Sequence, residues 1–137
     1  MQTVLTHLVL LLTAFALQAQ NNIKVTITGF NNNDGKAVIG LYNSEETFLK
    51  KEYKAKTTAI ENNQAIIEFT NVPNGTYAIS MFHDENENGE LDMFMGFYPK
   101  EKYGFSNNAP ARFGPAKWKD ALFTVSENQA NEIEINL

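Results

Sequence analysis

An all-β fold, an antiparallel β-sandwich of about seven strands, is what this sequence predicts. Apolar residues recur at every second position over several short stretches, and clusters rich in Asn, Asp, Gly and Pro separate them. Only one short stretch carries a helical signal. The 137 residues suit one domain plus a targeting segment, and a hydrophobic share of 43% supports a packed core rather than disorder. A net charge of −5 without a Lys/Arg cluster argues against nucleic acid and anionic membrane surfaces as partners. With no cysteine there is no disulfide scaffold, no thiolate zinc site and no cysteine nucleophile.

The order along the chain begins with an address. Residues 8–17 (LVLLLTAFAL) are almost wholly apolar and the chain turns polar at Gln18. Such a run is too short to span a bilayer, which takes roughly 20 residues, but suits the core of a secretory signal peptide. We expect residues 1–19 to be that signal, cut after Ala19, and residues 20–137 to form one exported domain, periplasmic or extracellular. No cysteine follows the apolar run, so no lipid anchor is expected. The mature part keeps every charged residue and needs no membrane span.

Strands follow. Ile23, Val25 and Ile27 alternate with Lys24, Thr26 and Thr28. Residues 31–36 (NNNDGK) are turn chemistry, and residues 37–42 (AVIGLY) form a second run, so the two predict a hairpin. Ser44 before Glu45 and Glu46 predicts a helical turn or two. Further strands are expected at 53–60, 65–70 and 77–83, with a turn at Pro73-Asn74-Gly75 in which Gly75 takes a left-handed position. Residues 118–125 and 132–137 are expected to make the last pair, joined through residues 126–129.

Residues 84–117 break the rhythm. A structureless stretch of this length in a compact domain is either disordered or held by something. Phe94, Phe97, Tyr98, Tyr103, Phe105, Phe113 and Trp118 make disorder a poor reading, since each ring would leave a large apolar surface wet. The loop is expected to fold back over one end or edge of the sandwich.

What could hold it stands at its start, in Asp84-Glu85-Asn86-Glu87-Asn88-Gly89-Glu90-Leu91-Asp92. Oxygen side chains fall at positions 1, 3, 5 and 9 and glycine at position 6, the spacing of a calcium loop of EF-hand type. Calcium takes six to eight hard oxygens, and alternate residues of a tightly curled loop turn theirs inward. The expected ligands are Asp84, Asn86, Asn88, the Glu90 carbonyl and Asp92, with Glu85 and Glu87 pointing outward. Position 12 is Met95 rather than a bidentate Glu, so another oxygen must complete the shell: Glu101, Asn107, Asn108 or water. Two charged ligands predict weak affinity, about 10⁻⁴–10⁻³ M. A plain solvated Asn/Gly turn is the alternative.

Residues 77–92 (YAISMFHDENENGELD), then Gly96, Pro99, Glu101, residues 103–108 (YGFSNN) and Asp120-Ala121, closely resemble the bacterial domain-of-unknown-function 2141 family. Those are small exported proteins, and the likeness covers essentially the whole mature chain. Residues 97–102 depart from it, being longer and more aromatic before Glu101 than is common. Residues 74–78 (NGTYA) also look like a turn of transthyretin-like and carboxypeptidase-regulatory-like sandwiches. The resemblance implies export and a transthyretin-like or immunoglobulin-like sandwich, and brings no established activity.

Other candidates are weaker. His83, the only histidine of the mature part, is read as packing against the loop or bonding its backbone. Ser106 lacks the glycine that a nucleophile elbow requires and is read with Asn107 and Asn108 as bonding backbone. Glu101 is expected to pair with Arg112 or a lysine. Asn74-Gly75-Thr76 matches a glycosylation sequon but reads as a turn. The expected function is that of a non-enzymatic, exported binding module with a Ca²⁺-stabilised loop, contacting a protein or glycan of the cell envelope. The alternatives are a carbohydrate-binding module using Trp118 and the loop aromatics, and a hydrolase with Asp84 and Glu101 as acid and base.

Overall fold

The computed structural model describes residues 20–137; the expected signal segment, residues 1–19, lies outside them. The strands are β1 (Gln20–Thr28), β2 (Lys36–Tyr42), β3 (Lys54–Ala59), β4 (Gln64–Pro73), β5 (Gly75–Asp84), β6 (Met93–Phe94), β7 (Tyr98–Pro99), β8 (Tyr103–Phe105), β9 (Phe123–Val125) and β10 (Glu132–Asn136). One 3-10 turn (Ser106–Asn108) and a single helical turn, α1 (Trp118–Ala121), complete the elements. One sheet has the order β10-β1-β4; the other runs β3-β2-β5-β8, with β9 pairing β5 farther along. The two-stranded β6–β7 hairpin stands apart.

Alternation in sequence becomes burial between these sheets. Ile23, Val25 and Ile27 of β1, Ile67 and Phe69 of β4 and Ile135 of β10 share one core with Ile39 and Leu41 of β2, Ile79 and Met81 of β5 and Val125 of β9. Each fully buried aliphatic side chain contributes roughly 1.5–3 kcal/mol, so this layer dominates the stabilisation. The sandwich is as expected, but its connections differ. The first two strands do not form a hairpin: β1 pairs β4 and β10, while β2 pairs β3 and β5. Residues 29–35 cross from one sheet to the other, with Phe30 buried and Asn33 Oδ1 accepting the Asn63 amide at 2.8 Å. Turn residues encode a reversal, not the sheet in which the chain resumes. Gly35, at φ 63°, passes so close to the end of β5 that a Cβ there would lie 2.0 Å from the Asp84 carbonyl oxygen.

The last two strands are likewise no pair. β9 runs antiparallel to β5 and β10 runs parallel to β1, so the chain changes sheets between them and the fold is not wholly antiparallel. A crossing connection leaves strand direction free, whereas a hairpin forces antiparallel pairing. Residues 118–121 are helical rather than extended. Gly75 is not left-handed; the positive φ falls on Asn71 (57°). The corner at 73–75 is closed instead by Tyr77 Oη, which donates to the Pro73 carbonyl at 2.8 Å.

On β5, Tyr77, Ile79 and Met81 join the main core while Ala78 joins a second cluster with Tyr42, Phe48, Phe105, Ala109, Ala116 and Ala121. This smaller core therefore covers the other face of the larger sheet. The expected helical signal at Ser44 is a run of turns that delivers Phe48 into it, with Ser44 Oγ accepting the Thr47 amide. Trp118 packs edge-on to Phe48 at 5.7 Å. Among the described residues no helix is long and apolar enough to cross a membrane.

Candidate metal-binding loop

The inner strand β5 ends at Asp84, which its burial and its backbone pairing with Lys36 of β2 hold in place. From there the chain curls so that the Asp84 carboxylate accepts two amides of its own loop, Asn88 N at 3.1 Å and Gly89 N at 2.8 Å. Such curling needs positive φ, which Glu87 (54°) and Gly89 (80°) supply. Asn86 Oδ1 accepts Asn88 N, and Asn88 Oδ1 accepts Glu90 N, so each alternate side chain folds inward onto the next turn of backbone. The amide groups of Asn86 and Asn88 both donate to Asp92, each at 2.6 Å.

Positions 3, 5 and 9 thus close a hydrogen-bonded ring, which Asp84 at position 1 joins only through the Asn88 and Gly89 backbone amides. The Glu90 side chain is exposed, and its own amide is the one bonded to Asn88. Glu101 joins them from beyond the β6–β7 hairpin: Oε1 accepts the Glu85 amide and Oε2 the Asp92 amide, each at 3.3 Å. Glu101 is buried and pairs with neither Arg112 nor a lysine among the described residues. Asn107 and Asn108 do not reach the loop; Asn107 donates to the Asp120 and Leu122 carbonyls and Asn108 accepts from Asn136 N.

Electrostatics separates the two carboxylates. Burial pushes Glu101 above the usual carboxylate range, and the nearby Asp92 charge adds to this. Asp92 is held below its usual value, first by the hydrogen bond from Asn88 and further by that from Asn86. Among the described residues no three His, Cys, Asp or Glu side chains cluster as metal ligands, so any cation here would depend on the two asparagines. Turning their oxygens toward a cation beside Asp92 would require both amides to rotate about Cβ–Cγ and to give up the Asn88 and Glu90 backbone amides that those oxygens now accept.

His83 is fully buried; its Nε2 lies against the Asp34 carbonyl, which can only accept, so Nε2 carries the proton. Nδ1 has no hydrogen-bond partner, and Glu85 Oε1 stands 3.6 Å away. The residue therefore fastens the 31–36 turn to the end of β5, whereas its ring was expected to pack against the long loop or bond the backbone of that loop. Ser106 is equally structural. Buried Oγ accepts the Ile79 amide at 2.9 Å and donates to the Ala121 carbonyl, joining β5 to α1.

Sequence reasoning missed what lies beside the loop. Tyr103 and Phe105 pack down on the sheet, but Phe97, Tyr98 and Phe113 stay exposed around an apolar groove that contains Arg112, and Phe94 is exposed nearby in the chain. The aromatic excess of this segment was its signal, read as loop core or, alternatively, as a sugar-stacking surface rather than as the wall of an apolar groove.

Together these features define a small all-β sandwich with an Asx-rich, acidic loop closing the end of an inner strand. Within that class the chain belongs to the bacterial DUF2141 family, described as "Uncharacterized protein conserved in bacteria", whose sequence profile matches residues 25–134. No curated protein and no solved structure gives a significant match.

Proposed function

We propose that this chain is an exported, non-enzymatic binding module whose Asp84–Asp92 loop holds a calcium ion, and that the ion orders the excursion that follows β5. The observation that carries the reading is the convergence of positions 1, 3, 5 and 9, with Asn86 and Asn88 both 2.6 Å from Asp92 and Glu101 folded in behind them. Export rests on the residues 8–17 run. The non-enzymatic reading draws on Asp84 and Glu101, whose carboxylates are both engaged by backbone amides rather than by each other. At a dissociation constant of about 0.1 mM and about 1 mM calcium, the ion would stabilise the fold by roughly 1.4 kcal/mol. Magnesium suits the loop less, since it demands tighter octahedral geometry.

Isothermal titration with calcium tests this. One-site binding that Asp92→Asn weakens at least tenfold supports it. Absence of both binding heat and any shift in melting temperature overturns it. Asp92 is the residue to change because it lies at the exposed side of the ring, whereas Asp84 is buried and caps the loop.

A carbohydrate-binding reading draws on the exposed rings of Phe94, Phe97, Tyr98 and Phe113. It gains nothing from Trp118, which is packed against Phe48. Glycan-array binding lost in Tyr98→Ala would favour it.

A further inference from the structure

The apolar groove beside the loop lies on the outer side of the larger sheet and has a volume of about 690 Å³. Phe82 of β5 and Tyr103 of β8 line it from the sheet, Phe97 and Tyr98 from the β6–β7 hairpin, and Phe113 from the loop ahead of α1. The volume falls within the range of about 300–1,000 Å³ usual for small-ligand sites. Its surface is overwhelmingly hydrocarbon. A patch of rings this large, left wet on a small protein, marks a place that something apolar covers.

One feature narrows what that something is. Arg112 is the only formally charged side chain lining the groove, and no carboxylate pairs with it among the described residues. Its backbone is anchored, because Tyr103 Oη donates to the carbonyl of the preceding residue, Ala111, at 3.0 Å. An exposed guanidinium at the rim of an apolar trough favours a carboxylate, which it can grip through two parallel hydrogen bonds. In a chain of net charge −5, an unpaired arginine so placed is the complement of an anionic group on an otherwise apolar ligand. Sugars fit less well, since stacking on rings must be accompanied by several donors and acceptors, and the lining offers Ser80, Arg112 and the Tyr98 hydroxyl, with Tyr103 Oη already bonded to Ala111.

We propose that this groove binds a free fatty acid, the alkyl chain lying between the Phe97–Tyr98 wall and Phe113 and the carboxylate meeting Arg112. The inference goes beyond the calcium reading and rests on it in one respect, since Phe97, Tyr98, Arg112 and Phe113 lie on the excursion that the ion is proposed to order.

The test is calorimetric titration of the full mature chain with micromolar dodecanoate, below both its micelle concentration and the precipitation of its calcium soap, run once with calcium and once in EGTA. Saturable one-site binding is expected. Arg112→Gln should weaken it by about tenfold or more, the loss of a charge-assisted hydrogen bond, while leaving affinity for dodecanol unchanged. Phe97→Ala should weaken both ligands without moving the melting temperature. Absence of saturable dodecanoate binding overturns the proposal. So does equal affinity for dodecanoate and dodecanol that Arg112→Gln does not alter. Co-sedimentation with phosphatidylglycerol vesicles without monomer binding would assign the groove to a bilayer instead, and a concentration-dependent dimer abolished by Phe113→Ser would assign it to a second copy; either result overturns it. Calcium binding without dodecanoate binding in the calcium arm overturns the groove alone, and dodecanoate binding in both arms without calcium binding overturns the ion site alone.

Discussion

The space between the two sheets and the excursion over residues 85–117 are assembled by different means. Between the sheets, contact of aliphatic and aromatic side chains does the holding, and Ile23, Ile39, Phe69 and Ile79 are essentially out of water. In the excursion a few polar side chains do it. Asp84 and Glu101 shape the loop, Ser106 bolts its return to β5, and Phe105, Ala109 and Ala116 are the apolar side chains buried within it. Apolar contact is non-directional and tolerates substitution by similar shapes. A fold held by single hydrogen bonds concentrates its sensitivity in single atoms, and leaves neighbouring rings free for a ligand.

The widest contrast is between two phenylalanines. Phe69→Ala should cost about 3–5 kcal/mol in chemical denaturation, as a cavity in a closed core does. Phe97→Ala, an exposed ring, should stay within about 0.5 kcal/mol. Equal losses would erase the distinction. Next comes Ser106→Ala, which leaves the Ile79 amide and Ala121 carbonyl without their buried partner and should cost about 1–3 kcal/mol. A change below about 0.5 kcal/mol would mean that water replaces the hydroxyl at no loss. Calcium at about 1 mM should then raise the melting temperature by about 5 °C in the wild type and by little in Asp92→Asn.

The alternating strands were legible because β1 and β4 each bury one face and keep period two, whereas β5, covered on both faces, does not. The connections were not. NNNDGK at 31–36 looks like a hairpin turn, yet Phe30, Asn33 and Gly35 use it to cross between sheets. Nor did the pattern show that β10 lies parallel to β1, since strand direction depends on what the chain does between Val125 and Glu132. The Asp84–Asp92 spacing was legible because its oxygens fall at fixed steps along one loop. Glu101 could be named as a completing oxygen but not separated from Asn107 and Asn108, which the 3-10 turn carries elsewhere. Arg112 could not be placed, for nothing local distinguishes an arginine that meets a carboxylate from one that lines a groove.

The smallest effect concerns pH and the two loop carboxylates, which respond oppositely. Glu101 is raised by burial, so its contribution is complete below the ordinary carboxylate range and is lost as pH rises through its folded value. Asp92 is lowered by Asn88, so its contribution is present above the ordinary range and is lost as pH falls through its folded value. In EGTA, Glu101→Gln should therefore gain on the wild type as pH rises from about 4 to about 7. With calcium the difference should shrink or reverse, because a cation favours the carboxylate. Thermal melts of both proteins across that range check the signs.

Amide hydrogen exchange of residues 85–101, followed with and without calcium, bears on the ion-ordered excursion more directly than any melt. The account predicts that the metal slows exchange at Asn88, Gly89, Glu90 and Asp92 and through the β6–β7 hairpin, while Ile39, Ile67 and Ile79 between the sheets hardly change. Identical exchange in both conditions, or a uniform slowing of the whole chain, would contradict it.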